Sequence, residues 1–176
     1  MKKVKGKLLF LTHNPILKFK KGFTLLEVLL AIFVITIGVV GVSLAIQQAV
    51  SFTAFSTSKL TAIYLAQEGI EVVRNIRDTN WLEERTNPGI SWDDGLSPGE
   101  YEADYKSQSL VPYSDRYLKL PDGGFYNYDS GKDTKFKRKI TISKVGEAIE
   151  VSVKVSWLEK GNNYKVTAQE DLYNWR

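Results

Sequence analysis

The chain has 176 residues and a formal charge of +4, a length that leaves room for one folded domain beside a membrane segment. It has no Cys and one His, His13, which excludes disulfide staples, thiolate nucleophiles, Cys–His pairs, Ser-His-Asp triads beyond the leader and most zinc sites. The basic balance is local: seven Lys (2, 3, 5, 7, 18, 20 and 21) and no Asp or Glu precede Phe23, so +4 less +7 leaves −3 for residues 23–176. That distribution argues against nucleic acid as a partner of the remainder.

Residues 1–22 read as a basic leader. A secretory signal carries its apolar region ahead of a small-residue cleavage site. Here the order is inverted, because the apolar run follows the Gly22–Phe23 junction. The leader's own apolar patch, Leu8-Leu9-Phe10-Leu11, is too short to span a bilayer and is followed by Asn14-Pro15.

From Val28 to Ile46 there are nineteen uncharged residues. At about 1.5 Å of rise each they reach ~28 Å, close to the hydrocarbon thickness of a bilayer. The Lys excess on the leading side sets an orientation with the N-terminus cytoplasmic and the C-terminal domain outside. Gly38 and Gly41 interrupt this stretch. They either soften the helix or permit close helix–helix contact. One carboxylate, Glu27, stands at the head of the run. A charge at the middle of a membrane helix costs roughly 2.5–3.5 kcal/mol on insertion scales. The cost falls near the helix N-terminus, where the dipole favours an anion, yet the group still needs a partner. A cut after Gly22 would make one, the α-amino group of Phe23.

The helix is expected to continue to about Thr79 as an amphipathic half, residues 51–79. Leu60, Ile63, Ala66, Ile70, Val73 and Ile76 recur at three- and four-residue spacing, which predicts one apolar face. Lys59, Glu68, Glu71, Arg74 and Asp78 turn away from it, and Arg74 can meet Glu71 or Asp78. Residues 80–134 are rich in turns and aromatic side chains, punctuated by Pro88, Pro98, Pro112 and Pro121. Short strands are expected near 100–105, 117–120 and 124–128, with the rings closing over the core. From Lys135 the period becomes two: Phe136, Arg138, Ile140 and Ile142, then Ile149 to Trp157, then Tyr164, Val166 and Ala168 after the turn Lys160-Gly161-Asn162-Asn163. Three antiparallel strands with one apolar face each would occupy 135–176 and pack on the helix as an α+β domain.

The run Phe23-Thr24-Leu25-Leu26-Glu27-Val28-Leu29-Leu30-Ala31, preceded by Lys20-Lys21-Gly22, closely resembles the cleavage and methylation motif of type IV prepilins and type II secretion pseudopilins. Ala62-Ile63-Tyr64-Leu65-Ala66-Gln67 followed by Glu68 resembles minor pilins of the V type and minor pseudopilins of the I type. The resemblance implies a pilin-like fold: residues 23–50 as transmembrane and assembly helix, then the amphipathic half, the variable loop and the antiparallel meander. It implies cutting by a prepilin peptidase between Gly22 and Phe23, methylation of Phe23, and leader recognition through Lys20 and Lys21. Pairing of Glu27 with the N-terminal amine of a neighbouring pilin subunit is implied too, as is lifting into a filament by an ATPase-driven platform. The destination is a cell-surface or periplasm-spanning filament, with this chain as a minor subunit and not an enzyme. The chain departs from many pilins in lacking a C-terminal disulfide and a Pro within the membrane helix.

Other readings compete with this one. A single-pass membrane anchor needs neither Gly22–Phe23 nor Glu27. A pilus-associated binding module, for adhesion or DNA uptake, would draw on Lys132, Lys135, Lys137, Arg138 and Lys139, which strand alternation divides between two faces. Asp93, Asp94, Glu100, Glu102 and Asp104 supply carboxylates for glycoside chemistry but have no motif spacing. No cofactor is implied; Asp122, Asp129 and Asp133 form a calcium candidate without EF-hand spacing.

Overall fold

The computed structural model describes residues 22–174. They contain one long helix, α1, Leu25–Glu84, and seven strands: β1 Gly99–Glu102, β2 Val111–Pro112, β3 Lys119–Leu120, β4 Lys132–Asp133, β5 Phe136–Val145, β6 Ala148–Glu159 and β7 Asn162–Leu172. The chain divides into two compact units, one up to Gln47 and one from Gln48.

In the first unit every described residue is solvent-exposed in the isolated chain. The helix that begins there is long and apolar enough to cross a membrane. Polar side chains in it are satisfied locally: Thr36 Oγ1 donates to the Ile32 carbonyl and Ser43 Oγ to the Val39 carbonyl, each at 2.8 Å. Such backbone bonding lets a hydroxyl sit in an apolar helix without an outside partner.

The second unit is an α+β, pilin-like layer pair. A five-stranded antiparallel sheet in the order β2-β1-β5-β6-β7 carries the C-terminal half of α1 on one face, and β3 and β4 form a separate two-stranded sheet. The three long strands follow the predicted alternation closely. Phe136, Ile140 and Ile142 on β5 and Ile149, Val151, Val153, Val155 and Trp157 on β6 are buried with Leu65, Ala66, Ile70 and Val73 of the helix. Each fully buried large aliphatic side chain contributes about 1.5–3 kcal/mol relative to exposure. Phe55, Trp157 and Tyr164 close one end of this core, with Trp157 and Tyr164 stacked at 5.6 Å and Phe55 against Tyr164 at 4.8 Å.

Two hairpins fix the register. Gly146-Glu147 links β5 to β6, and Lys160-Gly161 links β6 to β7, with both residues of the second turn at positive φ (50° and 81°). Paired positive φ values define the turn whose twist matches two flanking strands, and they explain a Gly in its second place. Asn162 and Asn163 belong to β7, not to the turn the sequence suggests, because two residues suffice to reverse the chain.

Several expectations need correction. The buried helix stripe runs through Ala62, Leu65, Ala66, Gly69, Ile70, Val73 and Ile76, while Leu60 is 51% exposed and Ile63 only half-buried. Small residues on that stripe admit close approach, which apolarity alone does not reveal. Arg74 does meet Glu71, but Asp78 pairs with the buried Arg77. The helix ends at Glu84, one turn beyond Thr79. Residues 124–128 form no strand; Asn127 makes one bridge to Lys119, and β3 pairs with β4 instead. The aromatic rings of 80–134 are split: Tyr128 is buried and Trp92, Tyr101 and Tyr126 pack on the core, whereas Tyr105, Tyr117 and Phe125 are exposed.

Arg138 is the largest departure from simple alternation. It sits on the buried face of β5, fully enclosed. Its Nη1 donates to the Leu65 carbonyl and to Glu68, both at 3.0 Å, and its Nη2 donates to the Ala103 carbonyl. The Tyr128 hydroxyl donates to the Arg138 carbonyl at 3.3 Å. One guanidinium thus joins the helix, β5 and the segment after β1. Such partners are what a buried charge needs to be tolerated.

Candidate processing and assembly site

Residues 22–24 precede the helix, and α1 starts at Leu25. Thr24 is its N-cap: its Oγ1 accepts from the Glu27 amide at 3.2 Å, and its carbonyl accepts from the Val28 amide at 3.2 Å. Thr24-Leu25-Leu26-Glu27 therefore has the spacing of a capping box, a hydroxyl at the cap and a carboxylate three residues on. This places Glu27 in the first turn, where unpaired amides carry partial positive charge. The cap is a role the sequence reading missed, although Thr-x-x-Glu before an apolar run was a visible signal for it.

Phe23 is 82% exposed, and Gly22 has nothing within 4 Å of where a side chain would begin. The peptide between them lies in a non-helical, accessible stretch, the condition a protease substrate must meet. Lys20 and Lys21 fall outside the described residues. Gly38 and Gly41 are equally open, so α1 would let another helix approach at those points.

The other residue sets singled out from the sequence are dispersed. Lys135 bonds Ser58 and Glu159, Lys137 bonds Asp115, Lys139 bonds Glu100, Lys132 is in β4 and Arg138 is buried, so the basic run forms no common surface. Asp93 takes bonds from Ser91 and Lys144, Glu102 from Ser114 and Arg116, and Asp104 from Lys106, Ser107 and the Tyr128 amide. Asp94 Oδ2 accepts from the Ser91 amide. These carboxylates hold loops in place and do not converge on one point. Asp122, Asp129 and Asp133 are all exposed, and no group of three or more acidic or His side chains arranged to hold a metal occurs among the described residues.

Charge pairing perturbs several of these groups. The Ser91 hydroxyl and Lys144 lower Asp93, and Lys137 and the Tyr113 hydroxyl lower Asp115. Lys135 and the Ser58 hydroxyl lower Glu159, and burial pushes the Tyr128 hydroxyl up to about 12.

The family model for the prokaryotic N-terminal methylation motif matches residues 17–43. No curated protein and no solved structure matches the chain. The matched stretch spans residues 17–21, the Gly22–Phe23 junction, the capped first turn with Glu27 and most of the apolar run. The chain thus carries a prepilin-like methylation motif at the head of a pilin-like α+β fold, which supports a type IV pilin-like assignment and membrane anchoring.

Proposed function

We propose that this chain is a structural subunit of a type IV pilus or type II secretion pseudopilus, a minor one. It is cut between Gly22 and Phe23 by a prepilin peptidase and methylated on the Phe23 amine. The observation that carries the reading is the methylation-motif match coinciding with a Thr24-capped helix whose first turn holds Glu27 ahead of an unpartnered apolar surface. In the bilayer, lipid covers that surface; in a filament, the same surface of neighbouring copies does. Glu27 then accepts the new N-terminal ammonium of an adjacent subunit, so that two charges enter the filament core as a pair. The leader stays cytoplasmic and the sheet-bearing unit is exported. Lys20 and Lys21 address the leader to the peptidase. An assembly ATPase with its platform supplies the work of extraction. None of these residues performs chemistry here; they are the substrate of another enzyme.

Intact mass of the membrane-extracted protein tests the reading. The expected species lacks residues 1–22 and carries one added methyl. Gly22→Phe should leave the leader on. Full-length, unmethylated protein in cells with an active peptidase would refute the processing. Filaments of unchanged yield with Glu27→Leu would refute the role given to that carboxylate.

A further inference from the structure

β7 leaves one long backbone edge of the sheet unpaired among the described residues. β7 is the terminal strand of the five-stranded sheet, eleven residues long, and pairs with β6 without a slip in register. Among the described residues no strand, loop or side chain bonds to its outer backbone. Sheet edges are ordinarily blunted by shortness, proline, bulges, inward charges or charged side chains along the edge, Lys above all, and on β7 the last of these is Lys165, six positions from Asp171. β7 has no proline and no bulge. Its inward-pointing charge, Glu170, is already engaged by Arg74. The opposite edge, β2, is by contrast two residues long and includes Pro112.

The two-residue turn decides which backbone groups face outward. Glu159 and Asn162 flank the tight turn and form a hydrogen-bonded pair, as do every second pair after them, Trp157 with Tyr164 onward. Asn163, Lys165, Thr167, Gln169 and Asp171 therefore send their amides and carbonyls to the free edge. Two copies meeting antiparallel there must place these residues opposite one another. With Ala168 on the two-fold axis, Lys165 faces Asp171 twice and Thr167 faces Gln169 twice. Neither Lys165 nor Asp171 has an ion pair within the chain among the described residues. Centring instead on Lys165 or Asp171 would oppose like charges.

We propose that β7 is a self-association edge, through which a second copy of this chain adds antiparallel in the register centred on Ala168. The helices leave room for it. At Gly69, α1 packs directly on Val153, on β6 and so one strand in from the edge. With strands about 4.8 Å apart, the two helices pass ~14 Å from each other, beyond the 8–10 Å of direct packing. The two-fold axis stands normal to the sheet and reverses whatever lies flat on it. Residues 48–84 of the two copies therefore run in opposite directions. The contact joins copies of opposite polarity, as between neighbouring filaments or facing cells, and is distinct from the same-direction packing of the proposed filament. It does not depend on the filament reading.

The absence of Cys makes the test direct. Opposed residues of a non-hydrogen-bonded pair lie about 4.5 Å apart at Cα, within disulfide range. Detergent-extracted full chain with Ala168→Cys is expected to oxidise to a dimer at least tenfold faster than with Ser152→Cys, which lies on central β6. Lys165→Asp or Asp171→Lys in the Ala168→Cys background should slow dimer formation roughly tenfold, and the double exchange should restore it. Equal cross-linking at residues 152 and 168 by folded protein would overturn the proposal. So would single charge reversals that leave the dimer unaffected. Failure of prepilin processing would leave all of these outcomes unchanged.

Discussion

At Gly69 the helix and the sheet of the second unit are packed too closely for an unadjusted Cβ, and Gly69→Ala measures how tightly they are closed. An added Cβ would lie 2.7 Å from Val153 Cγ1, 3.3 Å from its Cγ2 and 3.2 Å from Arg138 Cδ. The nearest atom belongs to a short, β-branched side chain with little rotamer freedom, and Val153 is itself fully buried. Relief must therefore come from separating the layers by several tenths of an ångström. Overpacking of this kind costs about 1–3 kcal/mol, while replacing Gly by Ala within a helix returns about 1 kcal/mol. The net expectation is a loss of roughly 0–2 kcal/mol, or up to about 8 °C in Tm. Val153→Ala alone should cost ~2 kcal/mol by leaving a cavity. Combined with Gly69→Ala, the new methyl occupies part of that cavity, so the two changes should couple favourably by about 1 kcal/mol or more. Denaturant and thermal unfolding of the solubilised chain and its three variants give the cycle. A Tm raised by Gly69→Ala, or strictly additive losses, would show that helix and sheet are not closed at this residue.

Three further outcomes follow from other parts of the molecule. Thr24→Ala removes the cap oxygen, should cost the first turn about 1 kcal/mol, and should raise hydrogen exchange at the Leu26 to Val28 amides, whereas Thr24→Ser should not. Asp93, Asp115 and Glu159 have folded values held below their ordinary ones. Their contribution is thus present above the unfolded values and lost as pH falls through the depressed ones. Tm should drop between about pH 5 and pH 3, and less steeply in Asp93→Asn/Asp115→Asn/Glu159→Gln; parallel curves would remove these pairs as the cause. Tyr128 is raised, to about 12 by burial, so its neutral phenol stabilises fully below the unfolded value near 10 and ceases to do so as pH climbs through the folded one. Tyr128→Phe should make the alkaline limb of the unfolding profile less steep and take one tyrosine out of the late tyrosinate absorbance, to which Tyr113 and Tyr126, also raised, still contribute; an unchanged late amplitude would refute the assignment.

The sequence by itself determined the elements whose information is local and periodic. The basic-to-apolar junction, the uncharged run from Val28 to Ile46 and the alternation of Phe136–Val145, Ala148–Glu159 and Asn162–Leu172 each follow from spacing of 3.6 or 2, and from these the α+β architecture is legible. The N-terminal motif was equally plain, since the Gly22–Phe23 junction and Glu27 lie within a few consecutive residues, although the Thr24 cap between them was not read from the sequence. Tertiary structure alone decided what depends on partners distant in sequence. Alternation places Arg138 on the inner face of β5 but cannot say that Glu68, Leu65 and Ala103 converge to satisfy it. Periodicity marks Leu60 as apolar but cannot say that it lies off the helix face that meets the sheet, a face that continues past it to Ser58 and Phe55. The stubs β2, β3 and β4 are two residues each, too short to show any period, and exist because neighbouring backbone offers bonds. Likewise β7 reads as one of three equivalent strands. Only sheet order makes it an edge, because a strand's unpaired backbone is a property of which neighbours it lacks.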